Sequence, residues 1–199
     1  LRIFGDLLVE NPQSFEVRIA YIRTQIEHAQ TFANNNQFGT AIPFFERAIA
    51  EIQLLDPYDR ETRILSAKGF SYLGNALSWD DKQPEAEIEM AKAVAIAESL
   101  GSEYRDDTNI QQVVWRVFIL ASSIYEGIVN ERSLEFAQLA QQTAEKAVQS
   151  DPADTQARQN LAKSFSRLGI VYALVNKLKD ATLYLEKADG VLSGLIENE

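Results

Sequence analysis

Residues 151–188 read DPADTQARQNLAKSFSRLGIVYALVNKLKDATLYLEKA. After Pro152 an arginine comes at six residues (Arg158) and a second base at five more (Lys163). A small residue follows at six (Gly169), an alanine at twelve (Ala181), a large apolar residue at four (Leu185) and an alanine at three (Ala188). The same seven positions recur twice upstream without a gap. One copy has Pro12, Arg18, Arg23, Ala29, Ala41, Phe45 and Ala48; the other has Pro57, Arg63, Lys68, Gly74, Ala86, Met90 and Ala93. Each proline follows Asn or Asp, as Asn11-Pro12, Asp56-Pro57 and Asp151-Pro152. Self-similarity at this spacing is the mark of a repeat architecture.

A fourth, degenerate copy lies before the last. Its second half carries Ala140, Ala144 and Ala147, and its first half is the apolar stretch from Val113 to Val129. There Ser122 and Tyr125 take the places of Gly169 and Tyr172, and about six extra residues around Val129 to Ser133 separate the halves. From alanine to alanine the steps are 45 (Ala41 to Ala86), 54 (Ala86 to Ala140) and 41 (Ala140 to Ala181).

Each copy has the physics of a helical hairpin. Proline cannot continue a preceding helix and suits the start of the next. The small residue and the alanines let two helices approach, and the large apolar residues fill the space between neighbours. A single pair cannot bury its own apolar face, so pairs stack into a solenoid. The pattern predicts first helices over about 14–34, 59–79, 108–130 and 154–175, and second helices over about 38–55, 83–100, 133–149 and 178–196. Turn chemistry separates them at Asn34-Asn35-Asn36, Asp56-Pro57, Asp80-Asp81, Gly101-Ser102, Asp106-Asp107 and Asp151-Pro152.

These residues resemble the tetratricopeptide (TPR) family. The resemblance rests on Leu168-Gly169, Tyr172, Ala181, Leu185 and Ala188 in the last copy, and on Leu73-Gly74, Leu77, Ala86, Met90 and Ala93 in the second. Ala140, Ala147 and Pro152 close the third copy as the family's pattern does. The resemblance spans roughly residues 14 to 196. It implies an all-α fold, a right-handed superhelix of antiparallel helix pairs with about four long repeats. The steps exceed the family's 34-residue repeat, Ala29 replaces the usual glycine, and the early tryptophan is missing. Residues 1–12 are expected to end a preceding helix. A TPR-like domain is expected over 13–199, with repeats at about 13–56, 57–102, 106–151 and 152–196. The 45-residue step, the Asn/Asp-Pro and the arginine six residues later are also similar to the repeat tails of some bacterial serine/threonine protein kinases, most of all over 151–169.

Composition narrows the function. The 199 residues are 46% hydrophobic and 24% charged, with few Gly (9) and Pro (5). Such a balance favours helices. There is no cysteine, so disulfides, thiolate catalysis and zinc–sulfur sites are excluded. A net charge of −10 makes a poor nucleic-acid binder. No run of apolar residues is long enough to span a membrane. The chain opens on Leu1 rather than Met and shows no signal peptide, which reads as a segment of a longer protein. A cytoplasmic location is expected, with an extracytoplasmic one also open.

No catalytic constellation stands out, and the chain is expected not to be an enzyme and to need no cofactor or metal. His28 is the single histidine and sits inside the first helix, where packing is the ordinary role. The acid pairs Asp80-Asp81 and Asp106-Asp107 precede expected helices and read as helix caps. There is no phosphate-binding glycine loop, nucleophile elbow or metal-binding His pair. Trp115 stands among Val113, Val114, Val117 and Phe118 and reads as core. Trp79 ends a first helix and is expected to be partly exposed, where it can line a binding surface.

The register places Arg23, Lys68, Arg116 and Lys163 at equivalent points of the four first helices. In the family, first helices line the face where ligands sit. The functional reading is a groove for an acidic peptide or a terminal carboxylate, with Asn75 and Gln30 as polar partners and Trp79 as an anchor. The family's full carboxylate clamp is not reproduced. The alternative is that these bases form ion pairs that hold the repeats together. Arg18, Arg63 and Arg158 stand near helix starts and are expected to touch the acidic end of the preceding repeat.

Together these features predict a protein–protein interaction scaffold, a docking or regulatory segment of a larger signalling protein. A ligand-sensing regulator and a self-assembly module are the alternatives. Self-association is read from the last helix, which is apolar over a wide arc (Leu183, Tyr184, Leu185, Val191, Leu192, Leu195, Ile196).

Overall fold

The computed structural model describes residues 2–196, with the side chains of Arg2 and Ile196 outside that description. All regular structure among the described residues is α-helical. In chain order the helices are α1 (Arg2–Glu10), α2 (Phe15–Asn34), α3 (Phe38–Ile52), α4 (Arg60–Trp79), α5 (Gln83–Glu103), α6 (Thr108–Ile124), α7 (Asn130–Ser150), α8 (Thr155–Leu174) and α9 (Leu178–Ile196). The chain divides into two compact units, Leu1–Ala97 and Glu98–Glu199, with the boundary inside α5. In the first unit α2 packs on α1, α3 and α4, and α3 packs on α4. In the second, α7 packs on α6 and α8, while α8 also packs on α6 and α9. Each unit is thus a stack of antiparallel helix pairs.

The first helices begin the same way. Ser14 Oγ accepts from Val17 N–H at 3.3 Å, and Asp59 Oδ2 accepts from Thr62 N–H at 2.9 Å. Asp107 Oδ1 accepts from Ile110 N–H at 3.1 Å, and Asp154 Oδ1 from Gln156 and Ala157 N–H at 2.8 and 3.1 Å. These carboxylates and the serine satisfy amides that no turn of helix can reach. The repeated prolines lie two residues ahead of the caps at Ser14, Asp59 and Asp154. They shape the entering turn rather than the first helical turn. Asp154→Ala is expected to cost about 1 kcal/mol, read as a lower urea midpoint at unchanged m-value.

The hairpin turns also repeat. Asn36, Asp81 and Asn176 all take left-handed backbone, with φ of 58°, 59° and 58°. Short polar side chains tolerate that region best among non-glycine residues. In each turn the next amide reaches back five residues: Gln37 to Phe32 O, Lys82 to Leu77 O and Lys177 to Tyr172 O, all at 2.9 Å. This closes the helix end and reverses the chain. The pair Asp80-Asp81 therefore belongs to the end of α4, not to a cap of α5. Asp80 also holds Lys82 at 2.7 Å.

The degenerate copy differs from the expected helix over 108–130. Here α6 stops at Ile124, residues 125–129 form the turn, and the extra residues lengthen α7. Gly127, at φ +76°, makes the turn, and its amide donates to Asn130 Oδ1 at 3.0 Å.

Close crossings set the pairing. A Cβ on Gly74 would lie 3.0 Å from Ala86 O and 3.2 Å from Met90 N. A Cβ on Gly169 would lie 2.7 Å from Leu185 Cγ and 3.2 Å from Ala181 O. Ser122 replaces glycine in the degenerate copy, and the crossing is polar. Ser122 Oγ donates to Ser133 O, and Ser133 Oγ donates to Ser122 O, both at 2.8 Å.

Between pairs, Phe45 stacks on Tyr72 with centroids 6.0 Å apart. In the second unit Trp115 is 1% exposed, and its Nε1–H donates to Ser164 Oγ at 2.8 Å. Its place in the core agrees with its apolar neighbourhood in the sequence.

Candidate protein-docking face

On an α-helix, residues seven and eleven apart fall within about 20° of one face. Lys68, Asn75 and Trp79 have that spacing on α4, so they form one stripe about 16 Å long. Lys68 and Asn75 are half-buried, and Trp79 is 67% exposed. The Trp79 indole stacks on Phe38 of α3, with centroids 5.7 Å apart and planes 11° apart. The stack fixes the ring while leaving one side to solvent. On α2, Arg23 and Gln30 occupy the points 45 residues earlier than Lys68 and Asn75.

The bases do not share one environment. Arg23 donates to Glu61 Oε1 of α4 at 2.7 Å, in a largely exposed ion pair. Arg23 thus follows the cross-helix alternative, and such pairs contribute little to stability. The Arg116 guanidinium lies 5.1 Å from the Trp115 ring centroid. Among the described residues, Lys68 and Lys163 are not seated on a carboxylate. Lys163 is exposed. These two are the bases that remain open to an acidic ligand.

On α8 the stripe of Lys163 continues through Ile170 and Leu174, which are 43% and 47% exposed. They hold the register of Asn75 and Trp79. Apolar residues at helical spacing ordinarily read as core, and neither residue is singled out by the sequence. Their position seven and eleven residues beyond a repeated base was the available signal. Each unit therefore carries a first-helix stripe with a free lysine at one end and an exposed aromatic or apolar residue at the other.

His28 is packed rather than poised. Its ring meets Phe32 and Phe44 edge-on at 4.9 and 4.8 Å. Among the described residues no cluster of three or more His, Cys, Asp or Glu is placed to hold a metal ion. No helix among them is long and apolar enough to cross a membrane.

Two members of the second arginine set, Arg18 and Arg158, each tie a hairpin to itself. Arg18 pairs with Glu51 in the last turn of α3 and donates to Pro12 O at 2.7 Å. The Arg158 guanidinium lies 3.2 Å from where a Cβ on Gly194 would stand, in the last turn of α9. The expected contact was the preceding repeat. The observed one is the second helix of the same pair, where a cation meets the negative end of a helix.

Sequence reading missed one polar centre. Arg167 of α8 is 10% exposed and reaches the α6–α7 turn. It donates to Ser122 Oγ at 2.8 Å and Ser122 O at 2.6 Å, and it pairs with Glu126. It also approaches Ser133 Oγ at 3.4 Å.

No family model matches the chain, and no curated protein matches it. Among solved structures, BtubC (BKLC) from P. vanneervenii is 14% identical, with 98% of this chain and 87% of that chain covered and a TM-score of 0.46. A Podosopora anserina putative kinesin light chain with nearly identical TPR-like repeats is 15% identical, with 89% and 97% covered and a TM-score of 0.37. A point variant of that protein gives 15% identity, 90% and 98% coverage and a TM-score of 0.38. At such identities and scores these likenesses carry no argument about ligands or about the type of repeat.

Proposed function

We propose that the chain is a protein-binding scaffold whose first helices receive acidic segments bearing an apolar or aromatic anchor. The observation that supports this most is the open lysine of each unit. Among the described residues Lys68 and Lys163 face no carboxylate, in a chain of net charge −10, and each shares a stripe with exposed apolar surface. An acidic residue meets the lysine, and an apolar residue about 16 Å along an extended or helical segment meets Trp79 or Leu174. Asn75 and Gln30 supply neutral hydrogen-bonding groups between the two ends. Arg23 and Arg116, already engaged, add field rather than direct contacts.

The likeness of residues 151–169 to kinase repeat tails supports a docking or regulatory segment of a signalling protein as the wider setting. The parent sequence checks it: a kinase domain in the same chain supports the setting, and its absence removes it.

Acidic peptides selected on the protein from an array test the docking face. Lys68→Glu with Lys163→Glu is expected to weaken the selected peptides at least tenfold. Wild-type affinity is expected to fall as salt rises through the range where charges are screened. Unchanged affinity with unchanged salt dependence sinks this reading.

A further inference from the structure

Leu178, Leu185 and Leu192 stand seven residues apart on α9 and form one stripe. They are 62%, 47% and 45% exposed. Interior copies of the same face are covered. In the repeat register Leu185 matches Phe45 and Leu192 matches Ile52, which are 1% and 4% exposed. Their cover is a first helix, α4. Tyr72 of α4 stacks on Phe45, and Gly69 lies against Ile49 and Ile52, where a Cβ would come within 3.3 and 3.5 Å of their side chains. In the second unit the α7 residues matching Leu178 and Leu185, Ala137 and Ala144, are buried, and α7 packs on first helix α8. The α9 face is therefore built to the plan of two helix-covered faces in the same chain.

One residue departs from that plan. Asp189 stands where α3 has Ile49, exposed and with no base seated on it among the described residues. The nearby Lys187 lies over the rings of Phe165 and Tyr184, at 5.6 and 4.8 Å. A helix covering this stripe would face a carboxylate in the middle of its contact.

We propose that this face docks one amphipathic helix of a partner protein, with a small residue at the crossing and a lysine or arginine beside it. The small residue follows from Gly69, which lets α4 close on α3. The base follows from Asp189 and from the net charge of −10. Charge also argues against a second copy as the occupant. Two such chains repel, and a face-to-face pair centred on the stripe sets Leu185 against Leu185 with no small residue to close the crossing.

The chain supplies its own probe. A labelled peptide of residues 60–79, the α4 sequence, carries Gly69 beside Lys68 and has three bases to one acid. Added to the full chain, it is expected to give a saturable rise in fluorescence anisotropy. Leu192→Asp and Asp189→Lys are each expected to weaken it at least tenfold at unchanged helical circular dichroism. A Gly69→Leu peptide is expected to lose as much. Both protein positions are exposed, and Asp189→Lys carries the test where Leu192→Asp perturbs folding. The proposal is overturned by absence of saturable binding to the full-length protein, the result expected if a later helix of the same chain already covers the stripe, or by affinity indifferent to these changes. It is also overturned if the protein alone sediments as a dimer that Asp189→Lys or Leu192→Asp returns to monomer, because the occupant is then a second copy. Lys68 and Lys163 of the protein lie on the first-helix stripes, so Lys68→Glu with Lys163→Glu is expected to leave this binding intact. That separates failure here from failure of the acidic-peptide reading.

Discussion

Gly74→Val is expected to destabilise the chain by about 3 kcal/mol, at the upper end of overpacking costs. A Cβ at this position meets the backbone of α5 at two points, Ala86 O at 3.0 Å and Met90 N at 3.2 Å. No rotamer change relieves a contact with backbone, so α4 and α5 must separate. Separation in turn loosens contacts along the whole pair. Gly74→Ala isolates the crossing from side-chain bulk. Alanine gains about 1 kcal/mol of helix propensity over glycine. The crossing is expected to reverse that sign and leave a net loss of about 1 kcal/mol. Gly190 provides the control. It lies in α9 with nothing among the described residues within 4 Å of an added Cβ. Gly190→Ala is expected to stabilise by roughly 0.5–1 kcal/mol. Urea denaturation of the three variants separates the effects. If Gly74→Ala raises the midpoint as Gly190→Ala does, the close approach of α4 and α5 is wrong.

The same glycines show why so much of the fold was legible. Small residues at Gly74 and Gly169, alanines at the crossings and capped helix starts are local signals, and each repeats at one spacing. Repetition turns a weak propensity into a register. The left-handed Asn36, Asp81 and Asn176 lie 45 and 95 residues apart and belong to that register, although Asn36 alone reads as a turn residue, Asp81 also reads as a cap, and Asn176 carries no signal by itself. The early stop of α6 was not legible in this way. Nothing between Ile124 and Asn130 forbids another helical turn except Gly127, and a single glycine is a weak breaker. The four bases proposed for docking stand at equivalent register positions in the sequence. Which of them are free is not legible there, because Glu61, which holds Arg23, lies 38 residues away on another helix. Ile170 and Leu174 failed for the opposite reason: apolar residues at helical spacing look like core until a fold shows one side bare.

Arg167→Met is expected to cost about 2–4 kcal/mol, because two short charge-assisted hydrogen bonds are lost while the alkyl stem stays. In register Arg167 stands where the first unit has Tyr72. Tyr72 stacks on Phe45, whereas Arg167 grips the end of α6 and its turn. The guanidinium fits the serine pair in two ways at once. Nε–H donates to Ser122 Oγ, which itself donates to Ser133 O, and Nη2 donates to Ser122 O. A lysine retains the charge but cannot present a rigid fork. Arg167→Lys is therefore expected to recover less than half of the loss. Glu126 is 35% exposed and returns to water when its partner is removed, so Glu126→Gln is expected to cost about 1 kcal/mol or less. Hydrogen exchange locates the effect. Amides of residues 125–129 and the first turn of α7 are expected to open sooner in Arg167→Met, while those of α2 and α3 in the other unit keep their protection. Uniform acceleration through both units would mean that Arg167 supports global stability and does not specifically hold this turn. Faster opening confined to the turn would show that a half-buried arginine, arriving from α8, stands in for the asparagine or aspartate turn of the other three copies.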